Sequence, residues 1–213
     1  TSHNFDENFE KIKETKNITA IIDGVAKSAS INVVSRDPHV ALKDTELIVV
    51  AVQSLYQEPV ADFVCPNIPE SVKAVIVLPG NLGSLYFRKR IPNTVLVGEG
   101  ESMPYDARIV EPGVVNICFI NVRNAISFIP SIDSEKGLKL LSEIIPTYVA
   151  TRNNVVESAM HNPNLIVHTV GTIMSANRIE YTNGEFWMYK EAFTPSIWNL
   201  IKALDNEKNT IID

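Results

Sequence analysis

Positive charge is scarce in this chain: 19 Lys and Arg stand against 25 Asp and Glu, for a net charge of −6 over 213 residues. No Lys/Arg-rich block occurs, which argues against nucleic acid or an anionic membrane surface as the main partner. Cysteine is scarcer still. Cys65 and Cys118 lie far apart inside apolar stretches and read as two buried free thiols in a reducing, cytoplasmic compartment. No apolar run reaches the roughly 20 residues of a membrane-spanning helix. The opening Thr1-Ser2-His3-Asn4-Phe5-Asp6 has no signal-peptide character, and the lack of an initial Met hints at a fragment or a trimmed chain. There is no Walker loop, no Gly-x-Gly-x-x-Gly and no visible Ser/His/Asp triad. Glu99 and Glu101 do not make a glycosidase-like pair: two apart at a strand end they point the same way, and each reads equally well as a solvated turn residue.

What is present is an ordinary globular composition, 45% hydrophobic and 21% charged. Asp6 to Lys16 has helical composition. Two β-rich runs come next, Ile18–Ile22 and Ile31–Val34, around a turn at Asp23-Gly24, and Asp37-Pro38 opens a brief helix ending near Lys43-Asp44. Leu47–Val52 is a continuous β-branched run of the kind buried on both faces of a parallel sheet. Similar runs at Ala74–Leu78 and Thr94–Gly98 come after helix-length segments, Leu55–Val64 and Leu82–Arg90. That alternation predicts a doubly wound α/β sheet. More strands are expected around Val114–Phe119 and Ser127–Ile129. Beyond Pro130 the pattern turns helical, with Ser134 as a cap, one helix over about 154–177 made irregular by Pro163, and another opened by Thr194-Pro195. The expected division is an α/β part over 1–132 and the start of a helical domain over 133–213.

Ligands of open α/β sheets bind beyond the carboxyl ends of the strands. Three polar segments fall there: Gln53-Ser54-Leu55-Tyr56, Pro79-Gly80-Asn81-Leu82-Gly83 and Glu99-Gly100-Glu101-Ser102-Met103-Pro104-Tyr105. Each alone is an ordinary strand-to-helix turn; three on one edge suggest a cleft. The most informative stretch is His161-Asn162-Pro163-Asn164-Leu165-Ile166-Val167-His168, which places two His and two Asn where a merely packing helix uses Leu, Ala or Glu. A lone helical His is more often a packing or surface residue than a catalyst. His161 and His168, seven apart on one helix face, are too distant to chelate one metal easily, and no Cys or carboxylate completes a site, so no metal is expected.

Taken in order, Leu78–Gly83, Glu101–Tyr105, Asn162–His168, Asn177–Glu180, Phe186–Tyr189, Thr194–Ser196 and Leu204–Glu207 resemble the motifs of the octopine/nopaline (opine) dehydrogenase family over most of the chain. The resemblance implies a Rossmann-type sheet followed by a helical substrate domain. It also implies an NAD(P)H-dependent reductive condensation, in which an amino acid's amine and an α-keto acid's carbonyl form an imine that accepts hydride. On that basis His168 is the general acid/base, Asn81, Ser102 and Asn164 bind substrate, and Val52, Gln53, Gly80 and Glu101 face the cofactor, NAD or NADP. Small-molecule substrates are the implied partners, with a homodimer in view. The family's Gly-rich dinucleotide turn and the Asp that orients its His find no match within these residues. Thr169 also stands where the family commonly has Pro. The alternatives are a reductase resembling the ketopantoate reductases, which lean on a Lys (Lys136 and Lys139 read here as solvated), and a non-catalytic interaction module.

Overall fold

The computed structural model describes residues 2–212. Within them lie ten α-helices and nine strands. The first part runs α1 (Ser2–Thr15), β1 (Asn17–Ile22), β2 (Val25–Ser30), α2 (Pro38–Ala41), β3 (Leu47–Val50), α3 (Ser54–Val64), β4 (Ala74–Val77), α4 (Ser84–Arg88) and β5 (Leu96–Gly100). Then come β6 (Tyr105–Glu111), β7 (Val114–Ile120), β8 (Asn124–Ile129), α5 (Ser134–Ser142) and β9 (Tyr148–Thr151). The chain ends in α6 (Val155–Met160), α7 (Asn164–Met174), α8 (Ala176–Tyr181), α9 (Met188–Glu191) and α10 (Pro195–Ile212).

The expected parallel core is there. β3, β4 and β5 lie side by side and parallel, in a five-stranded sheet of order β3-β4-β5-β8-β9. Alternation along β4 divides its contacts. Val75 and Val77 join Ala61, Phe87 and Val97 in the apolar layer under α3 and α4, while Ala74 and Ile76 join Phe128, Leu141 and Tyr148 under α5. With both faces covered, every residue of the strand is apolar and buried, which is why it reads as a continuous run. The fold is α/β of Rossmann type, though its sheet is mixed, because β8 runs antiparallel to β5.

Several expectations are corrected. β1 and β2 do not join the main sheet; with β6 and β7 they form a second one, of order β2-β1-β7-β6. The strand expected at Ile31–Val34 is instead Val25–Ser30, because Asp23 and Gly24 both take positive φ and close a two-residue hairpin pairing Ile22 with Val25. Turn geometry of that kind fixes register ahead of β-propensity. The main sheet also runs on past the expected division at residue 132: α5 packs on it, and β9 pairs with β8 as its last strand. Ser134 begins α5 without capping it; its hydroxyl accepts from the Phe128 N–H. The single helix expected over 154–177 is broken into α6, α7 and α8. His161 therefore ends α6, its Nδ1 3.0 Å from the Glu157 carbonyl, and does not share a helix with His168. Cys65 is buried, but Cys118 is exposed on β7.

Candidate active site

The parallel strands β3, β4 and β5 all deliver their carboxyl ends to one edge, and the helical half closes over it. The turn after β4 is held by two buried polar side chains. Gln57, on α3, donates from Nε2 to the Pro79 carbonyl at 2.9 Å. Glu99, fully buried at the end of β5, accepts from the Leu82 N–H at 2.5 Å, the Ser84 N–H at 3.2 Å and the Ser84 hydroxyl. Asn81 and Leu82 both sit at positive φ, which costs non-glycine residues free energy, and these hydrogen bonds offset that cost. Gly80 has no room for a side chain, since a Cβ there would lie 2.0 Å from the Glu99 Cγ. Burial pushes the Glu99 carboxyl above the usual carboxylate range, against the opposing pull of its three donors.

Two further links tie this edge to later segments of the chain. The Asn81 carboxamide donates to the Ser54 hydroxyl at 3.1 Å and accepts from Asn162 Nδ2 at 3.0 Å. Asn162 is itself buried, and its Oδ1 receives the Asn164 N–H at 3.0 Å, so it caps α7 while gripping the turn. At the end of β5, Glu101 accepts from Arg152 Nε and Nη2 at 3.0 and 2.8 Å and from the Ala125 N–H at 2.9 Å.

Between these supports lie two adjoining hollows that share Pro79 and Met103. One, of about 380 Å³, is lined by Ala51, Val52, Gln53, Ser54 and Leu78 and is largely apolar. The other, of about 630 Å³, is a polar cleft. Ser102 lines it beside Tyr105, Asp106 and Arg108 of β6, opposite Asn164, His168 and Tyr189 of the helical half. Asp106 and Arg108 form an ion pair on that wall. His168 is half-buried, and its Nε2 lies 2.8 Å from the Tyr189 hydroxyl.

The sequence-derived candidates thus separate into two groups. His168, Asn164 and Ser102 meet at the polar cleft, and Val52 and Gln53 at the neighbouring hollow. Asn81, Gly80 and Glu101 line neither hollow: Asn81 and Glu101 are hydrogen-bonded to the protein's own groups, and Gly80 lies against Glu99. Glu99 is no solvated turn residue, because nothing of it is exposed. Sequence reasoning passed over Gln57, Asn162 and Tyr189 as working residues. For Asn162 and Tyr189 the signal was at hand, since both lie inside the motifs that carry the resemblance. Lys136 and Lys139 sit elsewhere, on a cavity of about 810 Å³ lined also by Val72, Thr94 and Leu96 at the amino ends of β4 and β5.

Residues 151–213 match the family described as NAD/NADP octopine/nopaline dehydrogenase, alpha-helical domain. An opine dehydrogenase of Arthrobacter sp. (strain 1C) is 29% identical over 210 residues, covering 95% of this chain and 58% of that protein. The chain is similar to the opine dehydrogenases. Its fold agrees with theirs: octopine dehydrogenase, solved with NADH and L-arginine, superposes with a TM-score of 0.71 at 18% identity, over 96% of this chain and 54% of that one. The likeness of fold extends beyond the opine dehydrogenases. A ketopantoate reductase of Ralstonia eutropha JMP134 gives a TM-score of 0.63 at 17% identity, over 96% of this chain and 63% of its own. The chain thus spans little more than half the length of its opine dehydrogenase relatives. No helix among the described residues is long and apolar enough to cross a membrane.

Proposed function

We propose that these residues form the substrate-facing part of an NAD(P)-dependent opine dehydrogenase, which joins the amine of an amino acid to the carbonyl of an α-keto acid and reduces the resulting imine. One observation carries this reading. His168, whose ring nitrogens can donate or accept a hydrogen bond, stands in a polar cleft that adjoins an apolar hollow at the carboxyl ends of parallel strands.

The hollow suits the nicotinamide end of a dinucleotide. Val52, Leu78, Pro79 and Met103 offer apolar surface to a ring, and Gln53 and Ser54 offer polar groups to its amide. When bound, the cofactor supplies the hydride, and the protein supplies position and polarity. In the cleft, Ser102 and Asn164 hold the oxygens of the keto acid, and His168 passes the proton to and from the carbonyl or the amine. Residues from both halves wall the reacting centre. The ketopantoate-reductase alternative is disfavoured by the distance of Lys136 and Lys139 from this cleft, at the opposite end of the strands.

The test is a fluorescence titration with NADH and with NADPH, reported by Trp187 and Trp198, followed by turnover assays with a panel of keto acids and amino acids. Saturable binding, and hydride transfer that the His168→Ala variant loses by at least about 100-fold while staying folded, is the expected result. Undiminished turnover in that variant would refute the assignment of His168.

A further inference from the structure

His168 has a hydrogen-bond partner inside the chain. Tyr189 lies 21 residues downstream on the short helix α9, and its hydroxyl is 2.8 Å from His168 Nε2. The two rings also meet edge-on, with centroids 5.7 Å apart and planes at 73°. Nδ1 of His168 has no hydrogen-bond partner among the described residues.

The placement of Tyr189 is built from several sides. Glu191 accepts from the Trp187 N–H at 3.1 Å and pairs with Arg178 Nε at 3.0 Å, tying the first turn of α9 to α8. Phe193 supports the Tyr189 ring at 5.8 Å between centroids, and Trp198 supports Phe193 at 5.5 Å. Ala192 is buried, and Gly171 lets the Phe193 ring close on α7, where a Cβ would stand 3.3 Å from it. A one-turn helix has little stability of its own; these contacts set the direction of a tyrosine that is 76% exposed.

From this geometry we infer that the Tyr189 hydroxyl sets the tautomer of His168, donating to Nε2 and leaving the ring hydrogen on Nδ1. A phenol is a good donor, and the unprotonated nitrogen of a neutral imidazole is its natural acceptor. The consequence is directional. Nε2 keeps a lone pair aimed along the wall of the cleft, where it can take a proton from substrate and return it. A substrate oxygen or nitrogen entering the cleft takes the place of the hydroxyl. Tyr189 is thus a positioning residue for the proposed acid/base in the free protein: it selects the Nδ1–H tautomer that an accepting group on Nδ1 selects in a catalytic triad, but does so from the reacting nitrogen. The inference rests on the proposed role of His168, but its first readout does not require turnover.

That readout is long-range ¹H–¹⁵N NMR of the four histidines in the ¹⁵N-labelled 213-residue chain, under conditions where the imidazoles are neutral. Tyr189→Phe keeps the ring packing and removes only the hydroxyl. The wild type is expected to show His168 with its hydrogen on Nδ1, and Tyr189→Phe to shift the population toward Nε2–H while His39 and His161 stay unchanged. An identical His168 tautomer in both proteins overturns the inference. If turnover is established, Tyr189→Phe is expected to lower kcat about ten-fold with little change in KM. An unchanged kcat alongside an altered tautomer would refute the functional consequence. Absence of turnover in the wild type would count against the dehydrogenase reading, while the NMR result still decides the tautomer.

Discussion

Replacing Glu99 tests how the turn beneath the site is held, and its effect can be worked out in sign as well as size. In Glu99→Ala the Leu82 N–H, the Ser84 N–H and the Ser84 hydroxyl all lose their acceptor. Each buried donor left without a partner costs about 1–3 kcal/mol. The side chain is also fully buried, so a cavity adds to the loss. Some of this is recovered, because a carboxyl is no longer removed from water; a net destabilisation of about 3 kcal/mol is expected. Glu99→Gln keeps the shape and costs about 1–2 kcal/mol, as one amide must face a donor. The pH dependence separates the effects. Burial, the largest influence, raises the Glu99 pKa in the fold above its unfolded value. A group of that kind contributes stability that is fully present below the unfolded pKa and is lost as pH rises through the folded pKa. Glu99→Gln does not titrate, so the stability gap between wild type and variant must narrow as pH rises from about 4, the unfolded carboxylate value. Urea unfolding followed by far-UV circular dichroism over that range measures the gap. A gap that widens with pH would show that the three donors outweigh burial, and that the carboxylate is the favoured form in the fold.

Two other perturbations bear on the surroundings of the site. Arg152→Met leaves Glu101, whose side chain is 13% exposed, without its cation while the Ala125 N–H still donates to it; a loss of about 2 kcal/mol is expected in urea unfolding, and no loss would show that water replaces the guanidinium freely. Of the two thiols, Cys118 is exposed and Cys65 buried, with burial pushing the Cys65 thiol up to about 11; an aromatic disulfide reagent is expected to titrate one thiol in the native chain and two in denaturant, and two fast native thiols would refute the packing around Cys65.

The parallel core was legible because β4 and β5 are buried along their whole length, so apolar character is continuous over β4 and the start of β5. The second sheet was not, because β2 is exposed throughout its length and spells Val-Ala-Lys-Ser-Ala-Ser, with neither a continuous nor an alternating apolar pattern. Its existence depends on the Asp23-Gly24 turn and on pairing with β7, nearly 100 residues away. β9 was hidden for a similar reason. Only Tyr148 of its four residues is buried, so its place in the sheet comes from partnership with β8. At the site, the motif around His168 pointed to the polar cleft. The supporting residues did not stand out, because a Gln, a Glu and an Asn near turns are usually solvated, and only the tertiary wrapping of the 79–84 segment buries Gln57 and Glu99.

The polar groups beneath the site also account for how its two walls are kept in register. The apolar layers of the sheet and of the helical half are separate: Ile166, Ile197 and Ile201 form their own cluster, sharing no residue with the layers around β4. Apolar burial is non-directional and tolerates small slides of one body on another. Holding the polar cleft and the neighbouring hollow in a defined relation needs directional contacts as well, because hydrogen bonds depend on distance and angle. Ser54–Asn81–Asn162 supplies them, running from α3 through the turn after β4 to the cap of α7, the helix that bears His168. Glu101–Arg152 supplies a second tie, where β9 gives way to α6. Asn81 and Glu101, expected at the substrate and the cofactor, thus bond to the protein's own groups, and Ser102, Asn164, His168 and Tyr189 are among the residues that line the polar cleft.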